Sequence, residues 1–118
     1  MSYNYIQSPY ATEKSSRLYI SQMFRTIYSI INKILKEAET EIVESKYDQQ
    51  IKENIIETSK VRIDNLLSRF QDIIIQFNSK FTNQIEISNE TFSHIDKLEY
   101  LSKLQPTAPS EINMNAVD

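Results

Sequence analysis

The sequence predicts an all-α protein, built as a long antiparallel helical hairpin that is followed by a short third helix and a disordered tail. One observation is that neither glycine nor proline occurs between Tyr10 and Gln105; the prolines are Pro9, Pro106 and Pro109. Because these two residue types are the strongest markers of turns, a long stretch without them favours helix. The other observation is that apolar residues recur at helical spacing over two long segments. We therefore expect helices joined by turns that need no special backbone conformation.

The composition is that of one small folded domain, with 118 residues of which 40% are hydrophobic and 25% are charged. The net charge of −3 gives no overall attraction to nucleic acid, which requires clustered Lys and Arg. The absence of cysteine excludes disulfides and thiolate metal sites, and it favours a cytosolic or nuclear location. We expect no signal peptide and no membrane span, since the longest apolar run is only Ile73-Ile74-Ile75.

We expect residues 1–11 to be a flexible N-terminus, with Thr12 as the N-cap of the first long helix. This helix is predicted to run to about Glu41, and its apolar seam follows the alternating four- and three-residue spacing of a heptad. The seam residues are Ile20, Phe24, Ile27, Ile31, Ile34 and Ala38. Other apolar residues widen this stripe, which indicates that the helix faces more than one neighbour, as in a bundle.

The connection between the two long helices is the least clearly marked part of the hairpin. Ser45 followed by Asp48 resembles a helix-start signal, so we predict a turn between Glu41 and Ser45. One continuous helix is the alternative, because neither glycine nor proline marks a turn here. The region is also acidic, with Glu37, Glu39, Glu41, Glu44 and Asp48.

The second long helix is predicted from about Lys46 to Phe81, and it completes a hairpin over residues 12–82. Its seam again has heptad spacing, and it consists of Ile56, Ser59, Ile63, Leu66, Phe70, Ile73 and Phe77. Two helices with wide apolar stripes cannot cover each other completely. We therefore expect the hairpin to form half of a heteromeric four-helix bundle. The predicted partner interface consists of Ile20, Phe24, Ile27, Ile31, Ile34, Ala38, Ile56, Ile63, Leu66, Phe70, Ile73 and Phe77.

A connector is predicted from Thr82 to Ile87, with Ser88 or Asn89 as the cap of a short third helix over residues 88–104. The polar, proline-punctuated residues 105–118 are predicted to be a disordered tail.

No set of residues indicates catalysis, a cofactor or a metal site. His94 is the only histidine, and we expect it to be exposed on an amphipathic helix, with acid–base or metal chemistry as the disfavoured alternative. The acidic cluster lacks the ligand spacing and the glycine of a calcium loop, so a solvated helix end is favoured over a cation site. A contact between this acidic turn and a basic surface is a weaker option. We predict that the protein is not an enzyme.

The first long helix is basic, with Lys14, Arg17, Arg25, Lys33 and Lys36. A phosphate-binding surface is possible, but a polar helix face is favoured because the opposite apolar face is so wide. We therefore expect no direct contact with nucleic acid.

Both long helices resemble the subunit-22 family of the Mediator complex, the Surfeit-5 proteins. In the first helix the similarity falls on Ile31 to Ala38, where the family shows an apolar residue, two polar residues, an Ile-Ile type pair, a lysine and an alanine. In the second helix Tyr47, Ile51-Lys52 and Ile56 lie where the family carries Tyr, Val-Arg and Ile, and the similarity continues without a gap to Ile75. The family's Ala-Gly step in mid-helix is replaced here by Ser59-Lys60.

The resemblance implies a structural subunit of the Mediator head module, located in the nucleus. Such a subunit pairs with Mediator subunit 11 through a four-helix bundle and supports RNA polymerase II transcription as part of a coactivator, without catalysis and without reading DNA. The alternative is a coiled-coil subunit of a cytosolic vesicle-tethering or lysosome-positioning complex. A peripheral membrane binder is disfavoured, because the polar helix faces are mixed in charge.

Overall fold

The computed structural model describes residues 5–106, which form two long helices, one short helix and two short 3-10 segments. Helix α1 spans Glu13–Glu44, α2 spans Gln49–Lys80 and α3 spans His94–Ser102. The 3-10 segments are Tyr5–Gln7 and Asn89–Thr91. No strand occurs in this part of the chain. The predicted all-α class, with two long packed helices and a shorter third one, is confirmed.

The core lies between α1 and α2, where the apolar seams of the two helices meet. Ile31 and Ile42 of α1 and Ile63, Phe70 and Phe77 of α2 have no measurable exposure. Burying a large apolar side chain contributes about 1.5–3 kcal/mol, so the seams hold the hairpin together. The first helix begins as predicted, because the Thr12 Oγ1 accepts a hydrogen bond of 3.0 Å from the backbone N–H of Ser15.

The turn between the long helices lies at residues 45–48, which is later than predicted, and it rules out one continuous helix. Ser45 caps the end of α1, and the Asp48 carboxylate caps α2 by accepting from the Ile51 N–H at 3.0 Å. Lys46 and Tyr47 have φ values of 58° and 61°. The expectation of turns without special backbone conformations is therefore wrong, since this left-handed region is unfavourable for residues other than glycine.

Residues 5–11 are packed against the end of the hairpin, which differs from the flexible segment expected over residues 1–11. Ile6 is fully buried, and the Tyr5 ring lies 5.1 Å from the Tyr19 ring. The Lys80 ammonium donates to the carbonyls of Ile6 and Ser8, each at 2.9 Å. The sequence pattern does not reveal this contact, because it joins a loop to a lysine far along the chain. Residues 1–4 lie outside the described residues.

The third helix is shorter than the predicted range 88–104. Neither Ser88 nor Asn89 caps it; its N-cap is Ser93, which has a φ of 53° and makes no side-chain capping bond. Of the predicted tail over residues 105–118, Gln105 and Pro106 are exposed and irregular, and residues 107–118 lie outside the described residues.

Candidate partner interface

One side of the hairpin is covered by the chain's own residues 81–104. Phe92 is buried there, with its ring 5.1 Å from that of Phe24 and 6.4 Å from that of Phe70. The connector is held by Asn78, whose side chain exchanges hydrogen bonds of 2.9 and 2.8 Å with the backbone of Ile85. We call this side the covered flank, and it includes Arg17, Phe24, Tyr28 and Asn32 of α1 and Lys52, Lys60, Asp64 and Asn78 of α2.

Lys52 attaches the far end of the third helix to α2. Its side chain is only 3% exposed, and its ammonium donates to the Leu104 carbonyl at 3.0 Å. The position is favourable for a cation, because the C-terminal end of a helix carries partial negative charge. Sequence reasoning missed this residue, although it lies one heptad before Ser59 and thus on the seam.

His94 is buried at the start of α3, so the prediction of an exposed histidine is wrong. The side chain is 3% exposed, and its Nδ1 makes no hydrogen bond among the described residues. Burial lowers the pKa of His94; Lys60 acts in the same direction, whereas Asp64 opposes it. An amphipathic pattern shows which face of α3 is apolar, but it does not show that α2 covers the histidine.

The opposite side of the hairpin is covered by described residues only at one end, where Tyr5 packs on Tyr19 and the Lys80 ammonium donates to carbonyls of residues 6–11; beyond that end its apolar side chains have no such cover. Phe24 and Ile30 lie three residues before and after the buried Ile27, so helical rotation turns them about 60° to either side of it. Phe24 is under Phe92, whereas Ile30 remains 37% exposed.

The same geometry holds in α2, where Lys60 and Leu66 flank the buried Ile63. Lys60 lies on the covered flank beside His94. Leu66 lies on the other side and is half-buried. We call this side the open flank, and it includes Met23, Ile30, Glu37 and Glu41 of α1 and Ile55, Arg62, Leu66, Arg69 and Ile73 of α2.

A groove of about 270 Å³ occupies the open flank near the turn. Its floor is formed by two small residues, Ala38 and Ser59, which are both buried. Its walls are mixed, with isoleucines beside Asn54 and Thr58, and Glu37, Glu41 and Arg62 also line it. The groove is open to solvent along the hairpin, so its shape suits a side chain presented by another helix.

The charged residues of the open flank are unpaired. Three ion pairs occur among residues 5–106: Glu13–Arg17, Lys60–Asp64 and Glu99–Lys103. They lie on the covered flank or within α3. Arg62, Arg69, Glu37 and Glu41 belong to none of them. Unpaired charges beside an apolar stripe are a typical edge of a helix–helix interface.

Most residues of the predicted partner interface are already used inside the hairpin. Those that are buried in its own core are Ile20, Ile27, Ile31, Ile34, Ala38, Ile63, Phe70 and Phe77. Those that are half-buried are Phe24, Ile56, Leu66 and Ile73. Of the half-buried set, Leu66 and Ile73 lie on the open flank. Contact of any of these residues with a partner stays a prediction.

The acidic residues near the turn do not form a single cluster in three dimensions. Glu37 and Glu41 face the groove, Glu39 lies at a second groove between α1 and α3, and Asp48 caps α2. In the described part of the chain, no three acidic or histidine side chains gather as metal ligands. None of the described helices is long and apolar enough to cross a membrane.

Neither a protein-family model, nor a curated protein sequence, nor a solved structure matches this chain. The resemblance to the Mediator subunit-22 family therefore stays a prediction.

Proposed function

We propose that this protein is a non-catalytic scaffold subunit that binds another helical subunit along the open flank of its hairpin. The observation that carries this proposal is the difference between the two sides of one hairpin. Residues 81–104 cover one side along its length. Beyond the end held by residues 5–11, the described residues leave the other side with partly exposed aliphatic side chains, a groove and charges that form no ion pair.

The energetics of the open flank favour a partner. Removal of apolar surface from water contributes roughly 25 cal/mol per Å², so covering a stripe of aliphatic side chains along two helices is worth several kcal/mol. The same stripe left exposed would promote self-association. A second pair of helices on this flank would complete a four-helix bundle.

The finer proposal is that the partner is Mediator subunit 11, and that the complex is the head module of nuclear Mediator supporting RNA polymerase II transcription. The support for it is the resemblance over Ile31 to Ala38 and over Tyr47 to Ile75. Much of α2 on the open flank, including Leu66 and Ile73, falls within the second of these stretches.

The experiment is affinity purification of the tagged full chain from its own cells, with identification of the chains that co-purify and imaging of the tagged protein. We expect subunit 11, other head subunits and nuclear fluorescence. Recovery of vesicle-tethering or lysosome-positioning subunits with a vesicular signal would support the alternative complex and overturn the Mediator proposal. A chain that is recovered alone as a stable monomer would overturn the scaffold proposal itself.

A further inference from the structure

Charges of opposite sign lie on the two helices of the open flank, with arginines in the middle of α2 and glutamates on α1 near the turn. On α2, Arg62 and Arg69 are exposed and lie one heptad apart, which is about 10 Å along the helix. Leu66 lies between them and is half-buried. This helix therefore presents two cations that frame an apolar side chain, and neither cation has an ion-pair partner among residues 5–106.

On α1, the corresponding edge is acidic near the turn. Glu37 and Glu41 are exposed, lie one helical turn apart and line the groove above Ala38. Lys33 precedes Glu37 by four residues and does not line the groove. Toward the other end of α1 this edge is uncharged, because Ile30, Thr26 and Met23 follow at helical spacing.

We infer that the open flank binds an amphipathic helix whose two polar edges have opposite charge. The edge along Arg62 and Arg69 carries carboxylates about seven residues apart, and the edge along Glu37 and Glu41 carries Lys or Arg. The apolar stripe of this helix lies on Leu66 and the neighbouring aliphatic residues. Charges that flank an apolar seam pair across helix interfaces, and they select the partner and its orientation.

The groove adds a specific position for the basic edge. Ala38 and Ser59 are small, so they leave room for the aliphatic stem of a long side chain. Lys and Arg bury such a stem on apolar surface while the cation stays near the rim. Here the cation would meet Glu37 and Glu41 of α1, across the groove from Arg62 of α2.

A second copy of this chain fits these charges less well. Measured along the hairpin, Glu37 lies roughly six residues, or about 9 Å, closer to the turn than Arg62 does. A two-fold axis along the hairpin lays α1 on α2 of the second copy and keeps this offset, whereas a two-fold axis across the hairpin lays each helix on its like-charged counterpart. The partner is therefore a different helix, and this inference rests on the proposed scaffold function.

The test uses the full chain and three synthetic helices with one Leu/Ile seam and different edges. One peptide has an acidic and a basic edge, one has two acidic edges and one has two basic edges. Binding is measured by fluorescence anisotropy of the labelled peptide. We expect the mixed-edge peptide to bind about tenfold more tightly than the other two.

Charge reversal of the protein sharpens the result. The double variant Arg62→Glu/Arg69→Glu should lose about tenfold in affinity for the mixed-edge peptide and should bind the two-basic-edge peptide best. The matched control is Lys14→Glu/Arg25→Glu, which changes net charge equally at exposed positions on the outer face of α1, away from Glu37 and Glu41, and should leave the ranking unchanged. Circular dichroism verifies that all variants remain helical.

The outcomes separate the inference from the function on which it rests. Equal affinity for all three peptides, unchanged by the reversal at Arg62 and Arg69, would overturn the inference that the bound helix has edges of opposite charge. It would leave the proposal that a helix binds the open flank. Failure of every peptide to bind would overturn the docking flank and the scaffold function together. A stable dimer of this chain that the peptides do not dissociate would show a second copy to be the occupant.

Discussion

The covered flank and the open flank begin from the same two helices, yet among the described residues only the covered flank is closed along its length. On the covered flank an aromatic cluster forms around Phe92, and its ring contacts Phe24, Tyr28 and Phe70. On the open flank the apolar residues are mainly aliphatic, and no described segment lies over Ile30 or Leu66. Among residues 5–106, residues 81–104 cover one flank along its length, and residues 5–11 cover the other only at one end.

The flanks also differ in the burial of their polar and charged side chains. On the covered flank, Lys52 is buried and donates to the Leu104 carbonyl, and His94 is buried near the charged side chains of Lys60 and Asp64. The charges of the open flank are exposed and have no such surroundings. The covered flank therefore has the burial of a domain interior, whereas the open flank is the face that we propose as an interface.

The largest expected effect follows from removing the Phe92 ring at the centre of the covered flank. Phe92→Ala removes a fully packed aromatic side chain and leaves a cavity against Phe24 and Phe70, so we expect the free energy of unfolding to fall by about 3–5 kcal/mol. Urea unfolding followed by circular dichroism measures this change. Tyr100→Ala is the control, since Tyr100 is exposed and its removal should cost less than about 0.5 kcal/mol. Equal losses of unfolding free energy in the two variants would mean that Phe92 does not seal the covered flank.

The next prediction concerns a substitution on the open flank that leaves the covered flank unchanged. Ile73→Glu should weaken binding of the proposed partner by roughly 1–3 kcal/mol, because a carboxylate would replace aliphatic surface in the interface and would have to be desolvated, and Arg69, one helical turn away, offsets only part of that cost. The matched control is Ile75→Glu, two residues along the same helix at a side chain that is 63% exposed and turned away from the open flank. Pull-down of the proposed partner, subunit 11, co-expressed with each variant compares the two. Identical recovery by both would place the partner elsewhere.

A smaller effect is expected where Lys52 attaches α3. Lys52→Met keeps most of the apolar stem but removes the hydrogen bond to the Leu104 carbonyl, so we expect a loss of about 0.5–1.5 kcal/mol. Amide hydrogen exchange should show faster exchange in α3 and unchanged exchange in the middle of α1. Uniform acceleration along both helices would contradict a local attachment.

The smallest effect concerns pH and His94. Its pKa in the folded chain lies below the ordinary value of 6.5, so as pH falls below that value the unfolded chain binds the proton more readily than the folded one. Stability should therefore decrease on acidification through this window and be unaffected by this group above it. Unfolding free energies of the native chain and of His94→Asn, measured at about pH 5.5 and 7.5, should show a shallower dependence in the variant. An identical slope would show that His94 is not the group responsible.

The seams illustrate how far sequence reasoning reaches. Heptad spacing correctly predicted two long helices that pack along Ile27, Ile31 and Phe70, because side-chain periodicity is a local property of a helix. It assigned the same residues to a partner interface, and most of them are buried in the chain's own hairpin. A heptad specifies that a helix packs against another helix, and it does not specify which one.

The turn shows the opposite situation. Lys46 and Tyr47 adopt left-handed conformations that their residue types do not favour. Tertiary packing offsets this cost: Ile42 is fully buried, and its carbonyl accepts from the Tyr47 N–H at 3.0 Å. No turn residue in the sequence marks this position, so it was predicted several residues too early.

The sequence by itself determined the helical class, the two long amphipathic helices and the cap at Thr12, because these depend on residues within one or two turns of each other. Only the tertiary structure decided which side of the hairpin is covered. That choice depends on contacts between residues far apart in the chain, such as Lys52 with Leu104 and Phe24 with Phe92. Periodicity cannot distinguish the two flanks, since both lie about 60° from the same seam. The folding back of residues 81–104 distinguishes them, and it leaves the unpaired edge of Arg62 and Arg69 facing outward.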